Sequence, residues 1–137
     1  LNKRLKFLNE VIEKLELENI VTVHGRAEDL GHKLEHREKY DLCVSRAVAN
    51  LSTLSEYCIP FIKVNGIFAS YKASDSAEET DEAKKAISVF GGKIDKEEIF
   101  ELPCSNMERK IVSIKKERHT QKKFPRKAGL PGKEPLQ

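Results

Sequence analysis

The chain is short of the residues from which several kinds of site are built. Among 137 residues there are three cysteines, one methionine and no tryptophan. Cys43, Cys58 and Cys104 are odd in number, far apart and without a CxxC pair, so neither a disulfide framework nor a cysteine zinc site is supported. His24, His32, His36 and His119 do not cluster, and the i,i+4 pair His32 and His36 has no third ligand nearby, so no metal site is expected. No apolar run is long enough to span a bilayer, and the N-terminus is a charged amphipathic pattern rather than a signal peptide. These absences point to a soluble protein without membrane partners, at home in a reducing cytoplasm. Residue 1 is Leu and the sole methionine is Met107, which reads as a piece of something longer.

What is present suffices for one domain with a real core: 39% hydrophobic and 34% charged residues. The net charge of +3 hides an asymmetry. Residues 109–137 hold ten Lys/Arg against two Glu, whereas residues 1–108 hold fifteen Lys/Arg against twenty Asp/Glu. A mildly acidic body with a basic end suggests a polyanionic partner, most simply nucleic acid.

Leu1, Leu5, Leu8, Ile12 and Leu15 make one apolar stripe, predicting a helix to Leu17 that Glu18-Asn19 stops. Ile20–Val23 is β-branched and short, a predicted strand that Gly25 breaks, leaving Arg26, Ala27 and Glu28 at its carboxyl end. Tyr40 to Arg46 predicts a second strand, and Asn50 to Ile62 a helix that Pro60 disturbs near its end. After a turn at Val64-Asn65-Gly66, Ile67–Tyr71 predicts a third strand presenting Lys72. Ser74-Asp75 can cap a helix to Phe90 that Gly91-Gly92 closes, and Lys93–Leu102 and Arg109–Lys116 read as two antiparallel neighbours. Residues 119–137, rich in Lys, Pro and Gly, form a loop or extended arm. The pattern is a mostly parallel α/β sheet with antiparallel terminal strands.

In such sheets, ligands sit outside the carboxyl ends of the strands. Arg26, Arg46 and Lys72 occupy three successive strand ends, which makes these cations candidate site residues.

Three phrases now stand in order: His24-Gly25-Arg26-Ala27-Glu28, Ser45-Arg46-Ala47-Val48-Ala49, and Phe124-Pro125-Arg126-Lys127-Ala128-Gly129-Leu130-Pro131-Gly132-Lys133-Glu134-Pro135-Leu136. Together they resemble the bacterial glucose-inhibited division protein B family over essentially the whole chain. Its members are S-adenosylmethionine-dependent methyltransferases with a Rossmann-like fold that modify a guanine N7 in 16S ribosomal RNA. The resemblance implies S-adenosylmethionine as cofactor, with Ala27, Glu28 and Arg46 in its binding, and 16S ribosomal RNA or a precursor of the small subunit as partner. It makes residues 1–118 the C-terminal part of the methyltransferase domain and 119–137 a basic tail that contacts RNA. Guanine N7 is a lone pair with no proton to remove, so no general base is expected and catalysis is mainly positioning. Arg26, Lys72 and Arg126 are candidates for guanine O6 or flanking phosphates. Lys123 and Lys127 belong to the basic tail, where Phe124 either stacks on a base or anchors the tail to the domain.

The resemblance also implies what is missing. The family's glycine-rich loop and the acidic residue for the ribose fall before Leu1, so the isolated chain is expected to transfer no methyl. The family's first two strands lie between Ile20–Val23 and Tyr40–Ser45, leaving a gap of about three strand spacings of about 4.8 Å. A separate N-terminal half fills it, or a second copy does, or the two strands pair directly. Pro103-Cys104 resembles the dipeptide of cytosine-C5 methyltransferases but falls away from the strand ends. The run expected of an amino-group methyltransferase is replaced by Ser45-Arg46-Ala47-Val48. A non-catalytic RNA-binding module with an acidic body and basic tail is the rival from another class.

Overall fold

The computed structural model describes residues 2–46, 49–74 and 76–137. Leu1 of the first stripe, Ala47 and Val48 of the second phrase and Asp75 of the expected cap lie outside them.

The elements run α1 (Asn2–Lys14), α2 (Ala27–Leu30), β1 (Tyr40–Arg46), α3 (Leu51–Cys58), a 3-10 turn (Ile59–Phe61), β2 (Ile62–Ala73), α4 (Ala77–Val89), β3 (Gly92–Glu101), β4 (Glu108–Lys116) and α5 (Leu130–Lys133). The strands form one sheet in the order β1-β2-β4-β3. β1 and β2 are parallel and joined through α3, while β4 is antiparallel to both β2 and β3. The α/β sheet with antiparallel terminal strands is as the patterns predict, but it is mixed rather than mostly parallel, since among the described residues one of its three pairings is parallel.

Local chemistry explains the boundaries. Asn50 Oδ1 accepts the Thr53 N–H at 2.8 Å and starts α3. Pro60 falls inside the 3-10 turn, so the predicted helix tightens after Cys58 rather than running to Ile62. Gly91 follows α4 at φ +97°, and a Cβ there would stand 2.4 Å from the Arg118 carbonyl oxygen. The predicted turn at Val64-Asn65-Gly66 is instead an irregularity within β2: Tyr40 pairs with Ile62 but Leu42 with Ile67. Asn65 takes φ +70° there.

One face of the sheet carries the core. Phe68, Val112 and Ile114 are fully buried beneath Leu51 and Leu54 of α3 and Ala83, Ala86 and Ile87 of α4. By the two-residue alternation of strands, Leu42, Val44 and Arg46 face the other way with Ile67, Ala69 and Tyr71. There Leu42 and Val44 are 57% and 59% exposed. Among the described residues this second face has no helical layer comparable to α3 and α4.

Ile20–Val23 is not a strand, which corrects the sequence expectation. β propensity needs a partner edge, and none of the four strands pairs with this segment. Val21 is left 84% exposed, and Thr22 Oγ1 donates instead to Asn9 Oδ1 of α1 at 2.9 Å. Direct pairing of this segment with β1 does not occur, and β1 remains a sheet edge.

Residues 119–137 are a loop interrupted by the one-turn α5, folded back over α3. Ser52, Thr53, Ser55 and Glu56 of that helix are all buried although polar. The tail supplies partners for several of them. Thr53 Oγ1 donates to Pro131 O at 3.0 Å, Ser52 Oγ donates to Leu136 O, and Glu56 meets Arg126. α3 is thus a layer between sheet and tail, buried on its polar side because carbonyls and a guanidinium satisfy it.

Candidate functional site

Arg26 is extended, at φ −88° and ψ 141°, and leads into α2, so Ala27 and Glu28 form the first turn of a four-residue helix. Glu28 is only 8% exposed. Its Oε1 accepts the Gly129 N–H at 2.8 Å, and among the described residues its Oε2 has no partner. Tyr57 of α3 lies nearby: burial and the carboxylates of Glu28 and Glu56 push its phenol up, and Arg26 offsets part of this. The first and third sequence phrases, about a hundred residues apart, are therefore in direct contact.

That contact is one of several. Arg37 donates through Nη1 to Gly31 O at 2.9 Å and Phe124 O at 2.8 Å. Its Nη2 donates to Thr120 O at 2.9 Å and Gln121 O at 3.1 Å. His32 Nε2 donates to Pro125 O at 2.7 Å. Glu38 accepts from Lys116 Nζ at 2.7 Å, His119 at 3.0 Å and the Thr120 N–H at 3.1 Å. Burial raises the Glu38 carboxyl, but these hydrogen bonds and the Lys116 charge outweigh it and hold the pKa at about 2. Lys116 itself is fully buried, and burial pulls its ammonium down against the Glu38 carboxylate. Sequence reasoning missed Arg37, Glu38 and Lys116, because their partners lie some 80 residues away and no local spacing announces them.

The expected cations differ in how far they are engaged. Arg46 ends β1, is exposed and pairs in register with Tyr71. Lys72 lies on the helix side of β2, where its Nζ donates to Glu79 at 2.6 Å and to Ala49 O at 2.8 Å. Glu79 also accepts the Leu51 N–H at 2.6 Å, so this ion pair pins the start of α3 to α4. Arg126 is tied to Glu56, a side chain 1% exposed, through Nε at 3.0 and 3.1 Å, Nη2 at 2.7 Å and its own N–H at 2.7 Å. The hydrogen bond to Glu56 lifts the guanidinium pKa against burial. Lys72 and Arg126 are therefore paired in the fold rather than free for a phosphate or O6.

Phe124 is 4% exposed and meets Phe90 edge to face, with centroids 5.0 Å apart at 83°. Of its two expected roles, the structure places it as the anchor. Base stacking is corrected on a physical ground: its faces are already in the core. Lys123 sits 5.2 Å over that ring, and both Lys123 and Lys127 are exposed.

Beside Arg46 the sheet end opens into a cleft of about 570 Å³ lined by Arg46, Tyr71, Lys72, Phe100, Leu102 and Arg109. The β3–β4 hairpin brings Arg109 opposite Ala73 of β2 and Phe100 opposite Arg109. Tyr71, Phe100 and Arg109 drew no notice in the sequence, where only the pairing register could have joined them. No described helix is long and apolar enough to cross a membrane.

Known proteins sort this geometry. The crystal structure of M. jannaschii TYW2 in complex with AdoMet superimposes with a TM-score of 0.60 at 18% identity, covering 83% of this chain and 53% of that one. What the two share is the fold, a mixed α/β sheet backed by helices. Proteins named ribosomal RNA small subunit methyltransferase G align over 99% of the chain, at 54% identity in Desulforamulus reducens and 53% in Acetivibrio thermocellus. Another, from Bacillus licheniformis, is 49% identical over the whole chain. The chain spans 57%, 56% and 57% of those relatives' lengths. A family model described as rRNA small subunit methyltransferase G matches residues 1–112, and the chain belongs to this family, GidB.

Proposed function

We propose that this chain is the adenosyl-side and RNA-facing part of an S-adenosylmethionine-dependent methyltransferase whose whole protein methylates a guanine N7 of 16S ribosomal RNA in the cytoplasm. The observation that carries the reading is the 54% identity over 136 residues to a named ribosomal RNA small subunit methyltransferase G. The arrangement at the sheet end is compatible with it.

The chain's residues fit one side of the cofactor. Ala27 offers a backbone N–H at the head of α2, and Glu28 offers an unpartnered carboxylate oxygen for the amino group of an adenine. Gly129 and Arg37 hold that turn in place from the tail side. Arg46 lies at the carboxyl end of β1, where its guanidinium reaches cofactor or guanine. Bound S-adenosylmethionine supplies the electrophilic methyl. The protein's task is then to hold the N7 lone pair in line and keep its cations on O6 and phosphate, work that proximity can support by several kcal/mol. Arg26, with exposed Lys123 and Lys127 on the 119–137 tail, supplies sequence-independent affinity by releasing counterions. The glycine-rich loop and ribose carboxylate belong to the remaining length of the relatives, so residues 1–137 alone transfer no methyl.

The test is a chimera in which this chain replaces the matching part of the Desulforamulus reducens relative. Tritium from methyl-labelled cofactor is expected in guanine of small-subunit RNA with the chimera and absent with the chain alone. A silent chimera beside an active relative overturns the reading. If that silent chimera still binds RNA, the non-catalytic module takes its place.

A further inference from the structure

The cleft at the sheet end has a composition that the methyltransferase reading uses only through Arg46. Arg46, Tyr71, Arg109 and Phe100 follow one another across the four strands through the register pairs Arg46–Tyr71, Ala73–Arg109 and Arg109–Phe100, all on the face away from α3 and α4. Tyr71 and Phe100 are 43% and 36% exposed, whereas Phe68, Phe90 and Phe124 are taken up by the core. Arg109 spends Nη1 on Glu108 O at 2.8 Å and Nη2 on the Met107 sulfur at 3.6 Å. Among the described residues neither Arg46 nor Arg109 has a carboxylate partner, and no carboxylate lines the cleft. The third lining cation, Lys72, is neutralised by Glu79.

We propose that this cleft seats an unpaired nucleotide of the RNA, its base against Tyr71 and Phe100 and its phosphate or acceptor edge on Arg46 and Arg109. The proposal rests on the reading that the protein acts on RNA, and it names the part of the substrate the site takes. Two half-exposed rings beside two guanidiniums match the chemistry of a splayed base, which offers π faces and a phosphate together. At about 570 Å³ the cleft falls in the range of small-ligand pockets. Stacked bases of an A-form duplex have no free faces to place in it, so it selects single-stranded or looped RNA. The tail offers charge without stacking, because Phe124 is buried, so it serves general affinity while the cleft discriminates.

The experiment uses this chain without cofactor, titrated into labelled single-stranded RNA of about eight nucleotides and into the matching duplex, followed by fluorescence anisotropy. The single strand is expected to bind at least about tenfold tighter than the duplex. Tyr71→Leu and Phe100→Leu each weaken single-strand binding about tenfold. Arg109→Gln weakens it and lowers the slope of log affinity against log salt by about 0.7, and Arg109→Lys restores the slope. Circular dichroism confirms each variant folded, and the Arg109 pair carries the test if an aromatic variant fails to fold. Folded aromatic variants that bind like the parent overturn the proposal, as does equal binding of duplex. Loss of S-adenosylhomocysteine affinity in place of RNA affinity assigns the cleft to the cofactor and overturns it too. So does a concentration-dependent dimer in ultracentrifugation that Tyr71→Leu abolishes, since a second copy then covers the rings. A silent chimera with cleft variants that still weaken RNA binding leaves the cleft standing. An active chimera with indifferent cleft variants removes the cleft alone.

Discussion

The two faces of the sheet are made from the same strands and meet opposite fates. On one, Phe68, Val112 and Ile114 are completely buried under α3 and α4, and the tail lies over α3 as a further layer. On the other, Leu42, Val44 and Tyr71 stand 57%, 59% and 43% exposed. Parallel strands in α/β proteins are ordinarily covered on both faces. The layered face holds the fold together, while the open face is bare in a chain that spans 57% of the length of its Desulforamulus reducens relative.

The largest test of this division is Phe68→Ala, which opens a cavity under two helices and is expected to cost about 3–5 kcal/mol in urea unfolding. A cost near zero would mean that the core does not rest on this face. Arg126→Ala comes next. It leaves the Glu56 carboxylate 1% exposed and without its cation, and a loss of about 3 kcal/mol is expected by the same measurement. If the tail merely drapes over α3, Arg126→Ala will match the parent. The third concerns acid. Glu38 titrates at about 2 in the fold against an ordinary 4.5, so its stabilisation is complete above pH 4.5 and is lost as pH falls toward about 2. In Glu38→Gln this limb of the stability curve flattens, by about 1–2 kcal/mol after solvent screening, and an unchanged acid limb would remove Glu38 from the account. Smallest is Val44→Ala on the open face, expected to shift stability within about 0.5 kcal/mol. A loss of 2 kcal/mol or more there would show that something covers this face in solution.

What the sequence revealed tracks the range over which its signals act. Helix α4, the parallel pair β1–β2 and the β3–β4 hairpin follow from local periodicity, short connections and Gly91. Ile20–Val23 failed as a strand because β propensity describes a surface that wants a partner, and no edge meets it here. Val64–Gly66, expected as a turn, is absorbed into β2 as a register shift against β1, which no local signal decides. Strand-end placement put Arg46 at the carboxyl end of β1, where it lines the cleft. It could not tell that Lys72 and Arg126 would be claimed by Glu79 and Glu56, since burial and pairing are properties of the assembled layers. Phe124 shows the same limit: an aromatic among lysines reads as a stacking platform until Phe90, 34 positions earlier, takes its face.

The strap made by the tail also sets an order of events during synthesis. Glu56 leaves the ribosome 70 residues before Arg126, and Arg37 waits until Thr120, Gln121 and Phe124 provide three of its four carbonyls. A product broken off before that point holds a carboxylate with no cation and a guanidinium with most of its acceptors missing, so its body stays loose and open to proteases. The tail therefore acts as a late seal: the turn carrying Ala27 and Glu28 is locked only once synthesis has passed Gly129.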